Sequence, residues 1–172
     1  MSMYPEPANI WESIEYSGLG ITIAESTWMF PTLETLHVIF LVTVLGTIFV
    51  VDLRMLGWTS NKFAVTVAAK DTLPWTWGAF IGAAITGGLL FISKASSYVG
   101  NPYFLWKMGM MALAGLNMMY FHFITWRTVE HWDRDASMPV AVKVSAALSI
   151  LFWLAVVFFG RAIGFTLGIF GS

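Results

Sequence analysis

The chain has 172 residues, 58% of them hydrophobic, 16% aromatic and only 11% charged, with a net charge of −1 and no cysteine. Soluble domains carry about twice that charged fraction, so the composition predicts a single membrane domain, residues 1–172. The near-neutral balance argues against a nucleic-acid partner, and the missing thiols exclude disulfides, iron–sulfur clusters and thiolate metal sites.

Residues 1–7 read as a short tail broken by Pro5 and Pro7. No cleavable signal peptide is expected, because residues 1–25 hold Glu6, Glu12, Glu15 and Glu25 but no Lys or Arg. In residues 8–25, Ile10, Trp11, Ile14 and Gly18 recur at helical spacing with Glu12 and Glu15 off the stripe. That pattern predicts an amphipathic helix lying at the membrane interface, and Trp28 suits the headgroup level.

The stretch from Pro31 to Gly57 supplies the first span, about 31–56. Roughly 20 apolar residues cross a bilayer core of about 30 Å. This span also carries Glu34 and His37 near its start and Asp52 and Arg54 near its end. Ionisable groups there are costly and mark function by default. Glu34 and His37 are three apart and share a helix face, a spacing used for inward-facing metal ligands in helix bundles. Residues 57–73 are predicted to be a polar connection.

Pro74 opens the second span, about 74–95, whose Gly78, Gly82, Ala83, Ala84, Gly87 and Gly88 would let a neighbouring helix or a flat ligand approach the backbone. A tight turn over 96–102 leads to the third span, about 103–127. A charged loop, 128–138, leads to the fourth, about 139–160, which Arg161 is expected to stop before a glycine-spaced tail returns to the interface. The fold class is therefore all-α: an integral membrane four-helix up-down bundle with an N-terminal interfacial amphipathic helix. Arg54, Lys62, Lys70, Arg127, Arg134 and Lys143 lie on one side, against Lys94, Lys107 and Arg161 on the other. That bias places both termini outside the cytoplasm.

Depth separates the candidate ligands. His37 lies about 9 Å below the outer surface, by helical rise from Pro31. His122 lies near the cytoplasmic end of the third span, so the two imidazoles differ in depth by roughly 10–15 Å. Two nitrogens on one iron would be about 4 Å apart, from bonds of about 2 Å each, so two sites are expected. The outer one gathers Glu34, His37, Thr86, Ser93, Lys107, Met108 and Met111; the inner one His122, Arg127, Asp52 and Arg54. His122, Met118, Gly115, Met111, Met108 and Phe104 form one face of the third span, and Gly115 leaves a gap that suits a porphyrin edge. Methionine is also a haem ligand, although a methionine stripe equally serves packing. The plain alternatives are a His37 bonded only to Glu34, a His122 bridging helices, and an interfacial Asp52–Arg54 pair. His131 reads as solvated.

The pattern Ser26-x-Trp28…Pro31-x-x-Glu34-x-x-His37…Gly46…Asp52-Leu53-Arg54-x-x-Gly57 resembles a family of small bacterial four-span inner-membrane proteins of unknown function. Thr86-Gly87, Asn101-Pro102-x-Phe104-x-x-Lys107, Asn117 and His122 extend the resemblance over roughly 26–125. That family is loosely similar to copper-resistance D membrane proteins and small b-type cytochromes, which implies haem or copper chemistry. The combined expectation is a membrane metalloprotein binding haem b, with copper as the other candidate metal, acting in electron transfer or as a membrane oxidoreductase with an unidentified redox partner. Metal candidates are His37, His122 and Glu34, the last as a ligand or as the carboxylate partner of His37. Met108, Met111 and Met118 are cofactor-binding candidates, and Lys107, Asp52, Arg54 and Arg127 complete that set, with Lys107 and the arginines meeting propionates. The alternatives are a small transporter or proton-conducting module using Glu34, His37, Asp52 and Lys107, and a non-catalytic membrane subunit. A homo-oligomer is expected from the small-residue face of the second span and from Gly164, Gly168 and Gly171.

Overall fold

The computed structural model describes residues 5–59, 64–134 and 138–169, and every regular element among them is helical. Two short helices, α1 (Ile10–Glu15) and α2 (Gly18–Glu25), precede α3 (Met29–Met55) and α4 (Val65–Ser93). A short α5 (Ala95–Gly100) joins α4 to α6 (Pro102–Tyr120). α6 runs on through a π-helical turn, Phe121–Thr125, into a 3-10 segment, Trp126–His131, and α7 (Val140–Thr166) closes the order. The helices α3, α4 and α7 are long and apolar enough to cross a membrane, and the protein is a multi-pass membrane protein. Val38, Ile39 and Val42 of α3, Ile81 and Ile85 of α4, and Leu151, Leu154 and Phe158 of α7 are all exposed. Water penalises such a surface and hydrocarbon does not.

Local chemistry sets the helix ends. Ser26 accepts a hydrogen bond from the Met29 amide at 3.2 Å. Pro31 falls in the first turn of α3, where its missing N–H has no helical partner to lose. α3 ends in a Schellman motif: Gly57 adopts φ 80°, its amide donates to Arg54 O and the Trp58 amide donates to Leu53 O, both at 3.0 Å. Asn101 caps α6 by accepting from the Tyr103 amide at 2.9 Å, with Pro102 at the first helical position. Within the helices Thr32, Thr35, Thr43, Thr47 and Thr86 donate back to the carbonyl four residues earlier. A hydroxyl in hydrocarbon is thereby satisfied by its own helix.

The packing makes two hairpins, α3 against α4 and α6 against α7, joined where α3 meets α7. Phe40 of α3 lays its ring on Gly82 of α4, where an added Cβ would be 2.7 Å from ring carbons. Thr76 Oγ1 donates to Thr47 Oγ1 across the same seam at 2.8 Å. The α6–α7 hairpin is clasped at both ends: Asn101 Nδ2 donates to Thr166 Oγ1 at 3.0 Å, and Asn117 and Ser145 exchange two hydrogen bonds at 2.9 and 3.1 Å. At the end where α3 stops and α4 and α7 start, Met55, Val65, Phe121, Trp132, Met138, Val142 and Ala146 form one buried cluster. At the opposite end Trp11, Phe91, Tyr98 and Phe104 pack ring on ring at centroid distances of 5.5–6.1 Å.

Several sequence expectations are corrected. The single helix over 8–25 is two helices, because Ser17 ends the first and caps the second by accepting from the Gly20 amide. Their packing buries Gly20 and Ile23, while Ile10, a member of the predicted stripe, is 68% exposed. The connection 57–73 is helical from Val65, so Pro74 sits inside α4 rather than opening it. Proline is tolerated there without a break in α4, and the early polar turns extend the helix beyond the apolar stretch. The turn at 96–102 contains helix α5. Arg161 does not stop the last helix, which continues to Thr166 with the Arg161 guanidinium over the Phe165 ring at 4.5 Å. Lys62, Gly171 and Ser172 lie outside the described residues.

The loop after His131 has a structural task that its charges concealed. Asp133 accepts from the Thr66 amide at 2.8 Å and from the Thr66 hydroxyl at 2.6 Å, while its carbonyl accepts from the Val65 amide at 3.1 Å. The side chain thus caps α4 from a distant point in sequence and ties the hairpins together. Loss of a capping acceptor costs roughly 0.5–2 kcal/mol, so Asp133→Ala is expected to lower the thermal midpoint of the detergent-solubilised protein. An unchanged midpoint would show that the cap is dispensable.

Candidate functional site

Among the outer candidates, His37 is the side chain the fold holds most firmly. The imidazole is half-buried and points from α3 into α4. Its Nδ1 lies 3.0 Å from Ala83 O and 3.1 Å from Thr86 Oγ1. A carbonyl only accepts, so Nδ1 carries the proton and donates, and the neutral ring keeps its lone pair on Nε2. The Thr86 hydroxyl is oriented in turn, donating to Gly82 O at 2.7 Å. Gly87 makes the space: a Cβ there would stand 2.8 Å from Cε1 of the imidazole. A backbone carbonyl thus fixes the proton on one ring nitrogen and leaves the other as an acceptor in the neutral ring.

The Nδ1 partners of His37 are a carbonyl and a hydroxyl rather than the expected carboxylate. The Nδ1 proton goes to Ala83 O and Thr86, and Glu34 is exposed one turn earlier on α3. The Glu34 charge reaches Tyr98 of α5; burial first, then that carboxylate, pushes the Tyr98 phenol up to about 12. Ser93 is buried and donates to Leu90 O at 2.7 Å, so its hydroxyl is used within α4. Lys107 of α6 runs alongside the bare backbone of α7 at Gly160, its Cε and Nζ each 3.9 Å from where a Cβ would stand.

The stripe on α6 is mixed in its surroundings. Met108 and Met118 are 46% and 50% exposed, whereas Phe104, Met111 and Gly115 are half-buried. A Cβ on Gly115 would meet nothing within 4 Å, so the predicted gap there is open.

The inner candidates do not converge. Asp52 and Arg54 are 4% and 0% exposed, while His122 and Arg127 are exposed. Asp52 and Arg54, two apart, point to different sides of α3. The Ser149 hydroxyl of α7 donates to the Asp52 carboxyl, whose Oδ2 is buried without a hydrogen-bond partner. His122 lies in the π-helical turn and stacks on Trp126 with centroids 5.8 Å apart and planes 2° from parallel. Its neighbour Phe121 enters the core beside Met55. His37 is 18 residues earlier than Met55 on α3, about 27 Å of helix, so the two imidazoles sit at opposite ends of the molecule. His131 is exposed at the end of the 3-10 segment. Among the described residues no three His, Asp or Glu side chains gather as a metal-binding group.

The glycines and the carbonyl that build the His37 seat escaped the sequence reading. Gly87 appears there as one of several small residues and in the Thr86-Gly87 pair of the resemblance, and neither use sets it against His37. A family model described as a family of unknown function (DUF6644) matches residues 10–166. No curated protein and no solved structure matches the chain.

Two measurements test this geometry. Nitrogen-15 NMR of the His37 ring is expected to show the Nδ1–H tautomer; a proton on Nε2 would contradict the Ala83 bond. Gly87→Ala is expected to displace the imidazole, with a stability loss of roughly 1–3 kcal/mol from overpacking, whereas Gly88→Ala, where a Cβ meets nothing within 4 Å, leaves stability nearly unchanged.

Proposed function

The chain belongs to that family, and we propose that it is an integral membrane protein that binds haem b through His37 for electron transfer. The observation that carries this reading is the Nδ1–H bond to Ala83 O, which leaves Nε2 as a fixed lone pair in a seat cleared by Gly87. A haem takes one or two protein ligands. Haem b held by His37 would supply a one-electron redox centre. The protein's share is orientation and shielding: Ala83 O and Thr86 hold the ring plane, and the Trp11, Phe91, Tyr98 and Phe104 cluster covers that end of the molecule. His122, on a π-helical turn of a kind frequent at functional sites, is the candidate ligand of a separate site.

In this reading the membrane is the bacterial inner membrane and α6 is the fourth crossing. α4 ends beside the aromatic cluster and α7 starts beside Met55, so the chain must return along α6. Both termini then lie outside the cytoplasm, and the open faces of Gly78, Gly88, Gly164 and Gly168 suit contact between copies in a homo-oligomer. A second reading, proton conduction, is favoured by the buried Asp52 in a spanning helix with one oxygen unpartnered.

Absorbance decides between them. Purified protein is expected to show a Soret band that His37→Ala abolishes or strongly reduces, that Glu34→Gln leaves largely intact, and of which His122→Ala removes only the contribution of a second site. A colourless wild type with a measurable proton leak in vesicles, lost in Asp52→Asn, would replace the haem reading with the relay. A reporter fused after Ser172 is expected to face away from the cytoplasm.

A further inference from the structure

We propose that an open groove between α6 and α7 binds a phospholipid with an anionic head group. The groove holds about 570 Å³, within the range of roughly 300–1,000 Å³ common to small-molecule sites. It opens to the outside of the hairpin, because Leu113, Leu116, Val144 and Leu148 line it and are all exposed. Val140 and Phe152 both line it, and α7 rises about 18 Å between them. Half of a bilayer core of about 30 Å is slightly less, so the groove is as long as one leaflet is deep. An acyl chain fits along it.

The lining is graded along that length. Leu113, Leu148 and Phe152 make the deep end apolar. At the other end, where α6 gives way to the π-helical turn and α7 starts, the lining groups donate hydrogen bonds. The Tyr120 side chain is exposed, and its hydroxyl has no partner among the described residues. One turn deeper, Asn117 gives one amide hydrogen to Ser145 O and accepts from Ser145 Oγ. Its second amide hydrogen is unused, and such a donor at a lipid-facing surface is costly. Val140 and Ala141 are the first residues of α7, and Pro139 before them supplies no side-chain cap. The amides of a first helical turn carry partial positive charge and favour an anion. Donors in this order fit a phospholipid: ester oxygens at Asn117, phosphate at Tyr120 and the start of α7, and an acyl chain over Leu148 and Phe152. A free phosphate leaves the apolar end empty, and a plain hydrocarbon tail leaves the donors unmet.

Native mass spectrometry of the full chain, released from detergent micelles doped with phosphatidylglycerol or phosphatidylcholine, reads the occupancy. Wild type is expected to retain phosphatidylglycerol roughly 2- to 5-fold better than phosphatidylcholine, the worth of a charge at a helix N-terminus. Leu148→Trp, which fills the groove, is expected to remove retention. Leu154→Trp, on an exposed part of α7 outside the groove, is expected to keep it. Tyr120→Phe, which deletes a donor and keeps the ring, is expected to lower phosphatidylglycerol retention roughly 2- to 10-fold with an unchanged thermal midpoint. Equal retention of the two lipids by wild type overturns the anionic head group. Undiminished retention in both Leu148→Trp and Tyr120→Phe overturns the groove as the site, and preferential retention of an isoprenoid quinone over both phospholipids replaces the phospholipid as its occupant.

Discussion

In hydrocarbon an unsatisfied polar group has no water to fall back on, so each one needs a partner inside the protein. The His37–Ala83 bond meets that requirement and much of the α3–α4 seam follows from it. For an imidazole to reach a main-chain carbonyl on a neighbouring helix, the helices must come close. Gly82 and Gly87 permit this by receiving the Phe40 ring and the imidazole. The bond also fixes the tautomer, so a packing requirement and a chemical property of the site share one cause.

The same requirement organises the second hairpin. Asn101 reaches Thr166 at one end of α6, and Asn117 and Ser145 satisfy each other toward the other. Apolar surface distinguishes poorly between registers when the surroundings are equally apolar, whereas directional bonds do. Two clasps on one pair of helices define how α6 lies on α7, and thereby where Lys107 meets Gly160. Asp133 does comparable work at the loop end, converting a charged loop into a cap for α4.

The ends of the molecule differ in kind. The end bearing Met55 is closed by aliphatic and tryptophan packing, with Asp52 and Arg54 drawn into the interior. The opposite end is closed by stacked rings, with His37 seated on α4 in one hairpin and Lys107 laid on α7 in the other.

Much was legible from sequence because it depends on composition and local order. Long apolar runs dictate membrane helices in any arrangement, and Pro31, Gly57 and the Asn101-Pro102 pair mark ends through their own backbone preferences. The ionisable residues inside α3 announce themselves by their cost. Local signals failed where another segment intervened. Pro74 read as a helix start, although the helix begins at Val65, where Asp133 from a remote loop caps it. Arg161 read as a stop, although α7 continues through it with the guanidinium over Phe165. Glu34 and His37 share a helix face, which suggested a pair, yet the imidazole proton finds Ala83 and Thr86 of the neighbouring helix. Spacing along one helix fixes which side chains share a face. Only the packing of α3 on α4, with a carbonyl and a glycine at matching heights, decides where the proton sits and which nitrogen keeps its lone pair.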